Sequence, residues 1–463
     1  MVLQKEGLIE KLSRIVSLEQ ILLDPAGVEE VSWDALSERR VHPLKRPQVR
    51  RPLCVIFPAS TAEVRAIVLL ANSEKIPIVP YGGGSGLMGG ALSVQPGIVL
   101  DLKRLNGILE IDVEARMARA QAGVVLESLE KKLNEKGLIL GHDPWTLPVA
   151  TVGGAISTNS LGYRGAQYGS MGDQVLGLEV VLPNGEILRT RPVSKSSTGI
   201  NLKHLFVGGE GCFGIITEAT LRVFPEPEKR SLHAFGFASF EEGFAAIQKI
   251  FSRGLRPALL DFGDDAAKAR EGAILFLGLE GRKEIVEAEE RLTVAICEEG
   301  GKRLPRHEAE RFWRDRHVIA HHFMHNRRRR RERSGDPIIR DWIHVALAAS
   351  QVLPFRKAAM EIIANRGVSL QESGLWTQPE LFSMRLAIEG GDGDGAQLIL
   401  EDTVDELLRL VQKFGGSMEY CHGVGVKLAS LMAEEHGYGL EVMGQIKKIL
   451  DPSNIMNPGK LGL

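Results

Sequence analysis

Short apolar runs alternate with amphipathic segments along the first half of the chain. Strand-length apolar runs occur at "IPIVPY" and "GIVLDL", and a hairpin-like alternation occurs at "ILEIDVEARMARAQAG". Helical periodicity is found in "STAEVRAIVLLANSEK", which starts with a capping serine or threonine, and in "VLESLEKKLNEKG". A tight hairpin turn is predicted at Asn184-Gly185. Up to about residue 225 the pattern therefore predicts an α+β fold rather than regular βαβ repeats.

The second half repeats this mixture after a Pro-rich segment, "FPEPEKR", which we interpret as a domain boundary. Helices are predicted at "FASFEEGFAAIQKIFSRG" and "GRKEIVEAEERLTVAICEEGG", with β-like "ALLDFGD" and "AILFLGLEG" between them. Two last helices, in "DTVDELLRLVQKFGG" and "LEVMGQIKKILDPSNIMNPGK", are predicted to pack back on the first domain. The predicted organisation is a helical lead-in at 1–49, a first domain at 50–227, a second α+β domain at 228–410 and a C-terminal segment at 411–463.

Composition narrows the class of protein. The formal net charge of -2 argues against a general nucleic-acid binder. The four cysteines are far apart, which suggests a reducing compartment and provides neither a zinc cage nor a disulfide framework. No apolar run reaches the roughly 20 residues that span a bilayer, and the amphipathic start lacks the core of a signal peptide. The cytoplasm is therefore the expected location.

Glycine is over-represented, at 51 of 463 residues, and is concentrated between Gly82 and Gly214. The loop "YGGGSGLMGG" contains G-x-G-x-x-G at Gly84, Gly86 and Gly89. A dinucleotide fingerprint of this kind must open a helix, whereas here a Pro-Gly pair and a strand follow. A Walker A loop is excluded as well, because no Gly-Lys-Ser/Thr follows. Successive backbone N–H groups can still bind phosphate as a nest. A flexible surface loop is the alternative.

Two later segments favour the ligand-binding interpretation. Like the first loop, "TVGGAISTNSLG" and "GGEGCFGIITEATLRV" are rich in glycine and hydroxyl residues and adjoin strands. Together the three resemble the flavin-contacting segments of the vanillyl-alcohol-oxidase-type (PCMH-type) FAD-binding domain. The ending "LDPSNIMNPGK" resembles the C-terminal signature of its lactate/glycolate oxidase-like branch. This resemblance implies a PCMH-type FAD-binding domain of two subdomains at 50–227 and a cap domain for substrate at 228–410.

The resemblance also implies which residues contact FAD. The first loop would hold the pyrophosphate through backbone N–H groups, the second segment would line the isoalloxazine and its linker, and the third would contact the adenine and ribose. Packing is the alternative role for each side chain. No histidine occurs in the first loop, so the FAD is expected to be non-covalent. The implied residues are Pro80, Tyr81, Gly82, Gly83, Gly84, Ser85 and Gly86; Trp145, Thr146, Leu147, Thr151, Gly153, Gly154, Thr158 and Asn159; and Glu210, Gly211, Gly214, Ile215 and Ile216.

The loop "GGSMEYCHGVGVK" resembles the histidine-bearing loop of two branches of this family. In the D-2-hydroxyacid dehydrogenase branch, a glutamate before the histidine joins two further histidines to bind a divalent metal. Here Cys421 takes the place of that glutamate, and "AIEGGDGDGAQL" has neither of the other histidines, so no metal site is expected. In the alkyldihydroxyacetonephosphate synthase branch three histidines are consecutive. Here only His422 matches, with Tyr420 and Cys421 in the other two places.

His422 is the predicted general acid/base, with a structural histidine as the alternative. Arg340 in "IIRD" and Arg385 in "PELFSMRLAIE" are predicted clamps for a carboxylate or phosphate, and surface salt bridges are the alternative for both. The tyrosine that the synthase branch uses before its histidine loop is missing from "PELFSMRLAIE". The histidines at 321, 322 and 325 are expected on a helix face rather than around a metal.

These features predict an FAD-dependent oxidoreductase that transfers hydride from a small, anionic hydroxy compound such as a 2-hydroxy acid to flavin N5. A synthase-like transferase that uses a flavin N5 adduct and a flavin-binding subunit without turnover are the alternatives. The electron acceptor is open, and a homodimer is expected. The arginine tract Arg327–Arg333 is a solvated segment, or else a peripheral contact with anionic lipid or an acidic partner.

Overall fold

Three larger β-sheets, with helices packed around them, organise the chain. The computed structural model describes residues 2–45, 49–265, 272–325, 337–390 and 394–463. Helices and antiparallel and parallel strands are mixed throughout, so the predicted α+β class is confirmed. The arginine tract Arg327–Arg333 lies outside the described residues. Within the described part of the chain, no helix is both long and apolar enough to cross a membrane.

A small, mostly parallel sheet opens the first domain. Its strands are Ile21–Leu22, Cys54–Ile56, Ile98–Asp101 and Ile78–Tyr81 in spatial order, and only the first pairs antiparallel. The two strands Cys54–Ile56 and Ile98–Asp101 are buried along their whole length, as expected of a parallel sheet covered on both faces. Helix Thr61–Glu74 makes the crossover between parallel strands. The carboxyl end of Ile78–Tyr81 leads directly into the first glycine loop.

A five-stranded antiparallel sheet forms the rest of this domain. The two predicted hairpins are present, and the strand after the third glycine segment lies between them. A two-stranded ribbon joins Leu138–Ile139 to Phe224–Pro225. The strands in spatial order are Ile108–Asp112, Met117–Gln121, Ile215–Arg222, Val175–Val181 and Ile187–Arg189.

The third sheet, here called the cap sheet, has seven antiparallel strands. Along Ile338–Ala346 every second residue is buried, which places Asp341, Ile343 and Val345 on the face covered by helices. The opposite face carries Arg340, Trp342 and His344. The strands in spatial order are Gly301–Arg303, Lys229–Phe237, Ala273–Gly281, Leu259–Asp265, Ser369–Trp376, Leu381–Glu389 and Ile338–Ala346.

The helices cover the sheets and fill the connections. The early ones are Val2–Ser13, Pro25–Glu30, Thr61–Glu74, Leu126–Asn134, Val152–Ser157, Gly165–Tyr168 and Met171–Gln174. Those around the cap sheet are Phe240–Ser252, Lys283–Glu298, Arg306–Asp315, Val318–His325, Ala349–Asn365 and Asp394–Lys413. The last two are Met432–His436 and Tyr438–Leu450.

The C-terminal segment returns to the first domain, as predicted. Ile78 donates its N–H to the carbonyl of Ile455 at 2.7 Å, and Asn457 donates to the carbonyl of Ile78 at 2.8 Å. The segment therefore extends the edge of the parallel sheet next to the glycine loop. One continuous cluster of buried apolar side chains runs from Leu12 in the lead-in to Leu407 in the helix behind the cap sheet. That shared core holds the two halves in a fixed relation.

Candidate active site

A cleft lies between the three glycine segments and the loop that carries His422. Its empty volume is about 1220 Å³, including open solvent at the mouth. All the residues that the sequence implied for FAD line it, except Leu147 and Asn159. Leu147 is buried in the core. Asn159 is exposed, and its Oδ1 accepts a hydrogen bond from the N–H of Gly172 at 2.9 Å.

The first glycine loop needs its glycines because it packs against backbone. A Cβ on Gly83 would lie 2.1 Å from the carbonyl oxygen of Val149, and one on Gly82 would lie 2.4 Å from Oγ1 of Thr151. Gly84 has a φ of +63°, which disfavours residues with a side chain. Backbone therefore forms this wall of the cleft, and a turn of successive glycines suits the pyrophosphate of FAD. The residues present fit the cofactor that the sequence implied.

The second glycine segment is partly helical. It contains the short helix Val152–Ser157, and the N-cap residue Thr151 accepts a hydrogen bond from Gly154 N–H at 3.3 Å through its Oγ1. A Cβ on Gly153 would lie 2.8 Å from Cβ of Ala122. The glycines therefore allow a helix to pack closely against a neighbouring strand, an arrangement that composition alone could not distinguish from a loop.

Glu210, in the third segment, is hydrogen-bonded to the loop that carries His422. Its carboxylate accepts the N–H of Val424 at 2.6 Å and the N–H of Gly425 at 2.9 Å. Burial outweighs these two bonds and raises the pKa of Glu210 to about 7. The carboxylate of Asp34, from the N-terminal lead-in, also lines the cleft, close to Gly86. Sequence reasoning missed Asp34, because nothing local marks a lead-in residue as part of a distant cleft.

The histidine loop is fixed to the edge of the cap sheet. Ser417 donates its N–H to Ala346 at 2.9 Å, and Tyr420 donates its N–H to the carbonyl of His344 at 3.2 Å. Glu419 then folds back, and its Oε1 accepts the N–H groups of Cys421 at 2.7 Å and His422 at 2.9 Å. These contacts bring His344 and Glu419 against His422, which lines the cleft together with Cys421.

The charge of His422 is set by its neighbours. Its Nδ1 lies 3.5 Å from Oε1 of Glu419, and its side chain is 14% exposed. Burial opposes the charged form, but Cys421 and the Glu419 carboxylate outweigh it and raise the pKa of His422 to about 10. For Glu419, burial also disfavours the charged form and so acts to raise the pKa, yet the adjacent His422 holds that pKa below its ordinary value. At neutral pH the pair is therefore an imidazolium beside a carboxylate.

His344 is the site residue that sequence reasoning missed. Its ring centroid lies 4.4 Å from that of His422, with the two rings nearly perpendicular. Burial, together with the His422 charge, lowers the pKa of His344 to about 3, so it is neutral. The alternation in "IIRDWIHVA" puts His344 on the same strand face as Arg340, but nothing in that alternation says that this face meets the histidine loop.

Two histidines and a carboxylate form a group that could hold a metal ion. Of the side chains that the structure describes, His344, Glu419 and His422 bring one ligand atom each to within 4.8 Å of one another. None of the three was singled out as a ligand, since the resemblance placed the glutamate at Cys421. His422 Nδ1 and Glu419 Oε1, which are 3.5 Å apart, are close enough to share an ion, since protein ligands lie about 2.0–2.2 Å from zinc. Metal independence therefore stays a prediction.

The two predicted arginine clamps lie on the cap sheet and do not line the cleft. In the strand register, Arg385 lies opposite Trp342, which is two residues from His344 on the same face of the sheet. Arg340 is on that face as well, but four residues from His344. The guanidinium of Arg385 is 3.6 Å from Glu372. Arg385 is therefore the better placed of the two with respect to His344.

A buried charge cluster supports the other end of the histidine loop. Asp341, fully buried on the covered face of the cap sheet, pairs with Lys427 and with Arg40, whose Nε donates at 2.5 Å. Burial acts to raise the pKa of Asp341, but these two cations lower it. The loop that carries His422 is thus fixed at Glu419, at Glu210 and at Asp341.

Comparisons with known proteins agree with this geometry. Residues 52–191 match the FAD binding domain family, and residues 226–461 match the C-terminal domain of the FAD linked oxidases. The chain is 31% identical to the glycolate oxidase subunit GlcD of Bacillus subtilis, over 89% of either chain. It is 28% identical to a D-lactate dehydrogenase of Anaerostipes hadrus, over 98% of this chain and 97% of the relative.

A solved alkyldihydroxyacetonephosphate synthase has the same fold, with a TM-score of 0.79 and 22% identity over 98% of this chain and 85% of that one. The two matched domains, the glycine cleft between them and the histidine loop at its wall lead to one conclusion. The chain belongs to the FAD-linked oxidases and is an FAD-dependent oxidoreductase.

Proposed function

We propose that the chain oxidises a small, anionic hydroxy compound, a 2-hydroxy acid, by hydride transfer to FAD. The observation that carries this proposal is His422 at the cleft wall, charged by its pairing with Glu419 behind it and with neutral His344 against it. Bound FAD supplies the hydride acceptor. The chain's own side chains must then bind the anion and take up the hydroxyl proton.

His422 carries the proton chemistry in this proposal. With a raised pKa of about 10, the imidazolium first attracts the substrate anion, and it accepts the hydroxyl proton only after releasing its own. Its Nδ1 faces Glu419, which leaves Nε2 for the substrate. Oxidation should therefore quicken as pH rises above neutrality. This differs from the near-neutral histidine that the sequence suggested, because Glu419 and Cys421 stabilise the charge.

Arg385 is the proposed partner of the substrate carboxylate. It shares a sheet face with His344, one same-face step away, and a guanidinium holds a carboxylate through two parallel hydrogen bonds. Arg340 lies a step farther and would act at longer range. The names of the relatives, a glycolate oxidase subunit and a D-lactate dehydrogenase, support a 2-hydroxy acid as the substrate class.

Anaerobic mixing of the FAD-loaded protein with a panel of 2-hydroxy acids, both enantiomers of each, tests the proposal. Loss of the visible flavin absorbance with one acid, but not with its enantiomer, is the expected result. Fatty-acid release from acyl-dihydroxyacetone phosphate, with the flavin unchanged at the end, would indicate the transferase instead. A flavin that no hydroxy acid reduces, in a protein active only within a complex, would indicate a subunit without turnover.

Acid precipitation of the loaded protein tests how FAD is held. We expect the flavin in the supernatant, because no histidine lies in the first glycine loop to form a covalent link. The cytoplasmic location, the homodimer and the peripheral membrane contact stay predictions.

A further inference from the structure

Glu210 joins the three glycine segments to the loop of His422. Its N–H donates to the carbonyl of Ser157 at 2.9 Å, in the second segment. Its own carbonyl accepts Nδ2 of Asn457 at 2.6 Å, and the same Nδ2 donates to Gly90 of the first loop at 2.8 Å. Only the carboxylate reaches across the cleft wall, to Val424 and Gly425.

The sequence Gly-Val-Gly after His422 is shaped to this contact. A Cβ on Gly423 would lie 2.4 Å from Oε1 of Glu210, and one on Gly425 would lie 1.9 Å from the carbonyl oxygen of Met88. Gly423 and Gly425 also have φ values of +82° and +53°. The loop therefore crosses close above the first glycine loop, with its amides turned to the Glu210 carboxylate.

The backbone of Glu210 is itself unusual. Its φ is +47°, a conformation that residues with a side chain rarely adopt, and its side chain is buried. A neighbouring glycine, Gly211, has the same sign of φ at +75°. A strained residue persists where its surroundings fix it, and such residues concentrate at functional sites. Here the strained conformation directs the carboxylate at the histidine loop.

We propose that Glu210 is a positioning residue for His422. By fastening the amides of Val424 and Gly425, it sets the imidazole against the cleft that holds FAD. The proposal rests on the proposed function for its rate readout. It differs from the role that the resemblance implied for Glu210, which is contact with the adenine and ribose side of FAD.

Hydrogen–deuterium exchange of the FAD-loaded protein tests the fastening without any substrate. In E210A we expect the amides of Val424 and Gly425 to exchange about 10- to 100-fold faster, since each loses its hydrogen bond to the carboxyl group. E210Q keeps one acceptor oxygen and should be intermediate. The matched control is E130Q, because Oε2 of Glu130 likewise accepts a backbone N–H, that of Leu140, at 2.6 Å, away from the histidine loop.

Flavin reduction by the best hydroxy acid tests the positioning. In E210A and E210Q we expect kcat to fall on the order of 10- to 100-fold, because a catalytic group moved by about 1 Å loses that much. The Kd for FAD should stay within about threefold, as a positioning role requires. E130Q should match the wild type in both. If E210A does not fold, E210Q carries both measurements.

Two results would overturn the proposal. One is unchanged exchange of the Val424 and Gly425 amides in both variants. The other is weakened FAD binding with full kcat at saturating FAD, which would make Glu210 a cofactor contact. If none of the hydroxy acids reduces the flavin of the wild type, the proposed function fails independently of the role of Glu210. The exchange result then decides alone whether Glu210 fastens the loop.

Discussion

The two walls of the cleft are built on different principles. The wall from the first domain is backbone: glycines at 82 and 83 contact the next segment so closely that no Cβ fits. The wall from the histidine loop presents the side chain of His422, which is backed by Glu419 and by His344 from a distant stretch of chain. In the proposed function, one wall recognises FAD by shape and N–H groups, and the other provides charge and protons.

This difference separates what each wall tolerates. At Gly82 and Gly83 the backbone wall has no room for added atoms, so even alanine should be harmful there. The side-chain wall tolerates smaller side chains sterically. Substitutions there should slow the reaction because they remove a charge or a hydrogen bond. Substitutions that add one carbon and substitutions that remove one charge therefore probe the two walls separately.

The largest expected effect lies in the side-chain wall. H422A should slow flavin reduction by about 100- to 10,000-fold while leaving FAD bound, because a general acid/base contributes that range. Stopped-flow reduction of the loaded enzyme measures it. H436A is the matched control, since His436 is exposed on a late helix. Equal rates in H422A and the wild type would remove His422 from the chemistry.

Substitutions in the backbone wall should weaken the binding of FAD. G83A should weaken FAD binding by about 10- to 100-fold, because a Cβ 2.1 Å from the Val149 carbonyl forces the wall apart. Flavin fluorescence titration measures the Kd. G300A is the control, since a Cβ there meets nothing within 4 Å. Normal FAD affinity in G83A would contradict the close fit of this wall.

The two arginines of the cap sheet should differ in effect. R385A should raise KM for the hydroxy acid by about 10-fold, as expected for a lost charge-assisted hydrogen bond, whereas R340A should change it by less than about threefold. Steady-state kinetics on both variants give the comparison. A larger effect in R340A would reverse the order that strand register predicts.

The pH dependence of flavin reduction tests how Glu419 sets the charge of His422. In the wild type, flavin reduction should rise with pH above neutrality, because the raised pKa of His422, about 10, keeps it protonated. E419Q keeps an acceptor oxygen but removes the negative charge, which lowers the pKa of His422. The rising limb should then move to lower pH by about 1 unit or more. An unmoved limb would mean that another group titrates.

Chelation should have the smallest effect. Dialysis against EDTA should change the rate of flavin reduction by less than about twofold, as the sequence predicts from Cys421 in the place of the metal-binding glutamate. Metal analysis of the protein as purified is the accompanying measurement. One bound equivalent that is absent from H344A would identify the group as a metal centre.

The sequence by itself determined the α+β class, the first wall and the return of the C-terminus. Glycine segments, hairpin turns and helix caps act within a few residues, so their effects are visible in a local pattern. His422 was found because its loop resembles the histidine-bearing loop of the family, a pattern confined to a few residues. These features are determined by residues that are close together in the sequence.

The tertiary structure alone decided how the second wall works. His344 meets His422 because the segment at 417–420 pairs with the end of a strand some 75 residues earlier. Glu419 and Cys421 change the charge of His422 because burial removes the water that would screen them. Glu210 reaches the histidine loop across more than 200 residues of sequence. Such contacts depend on long-range register and burial, which no local pattern encodes.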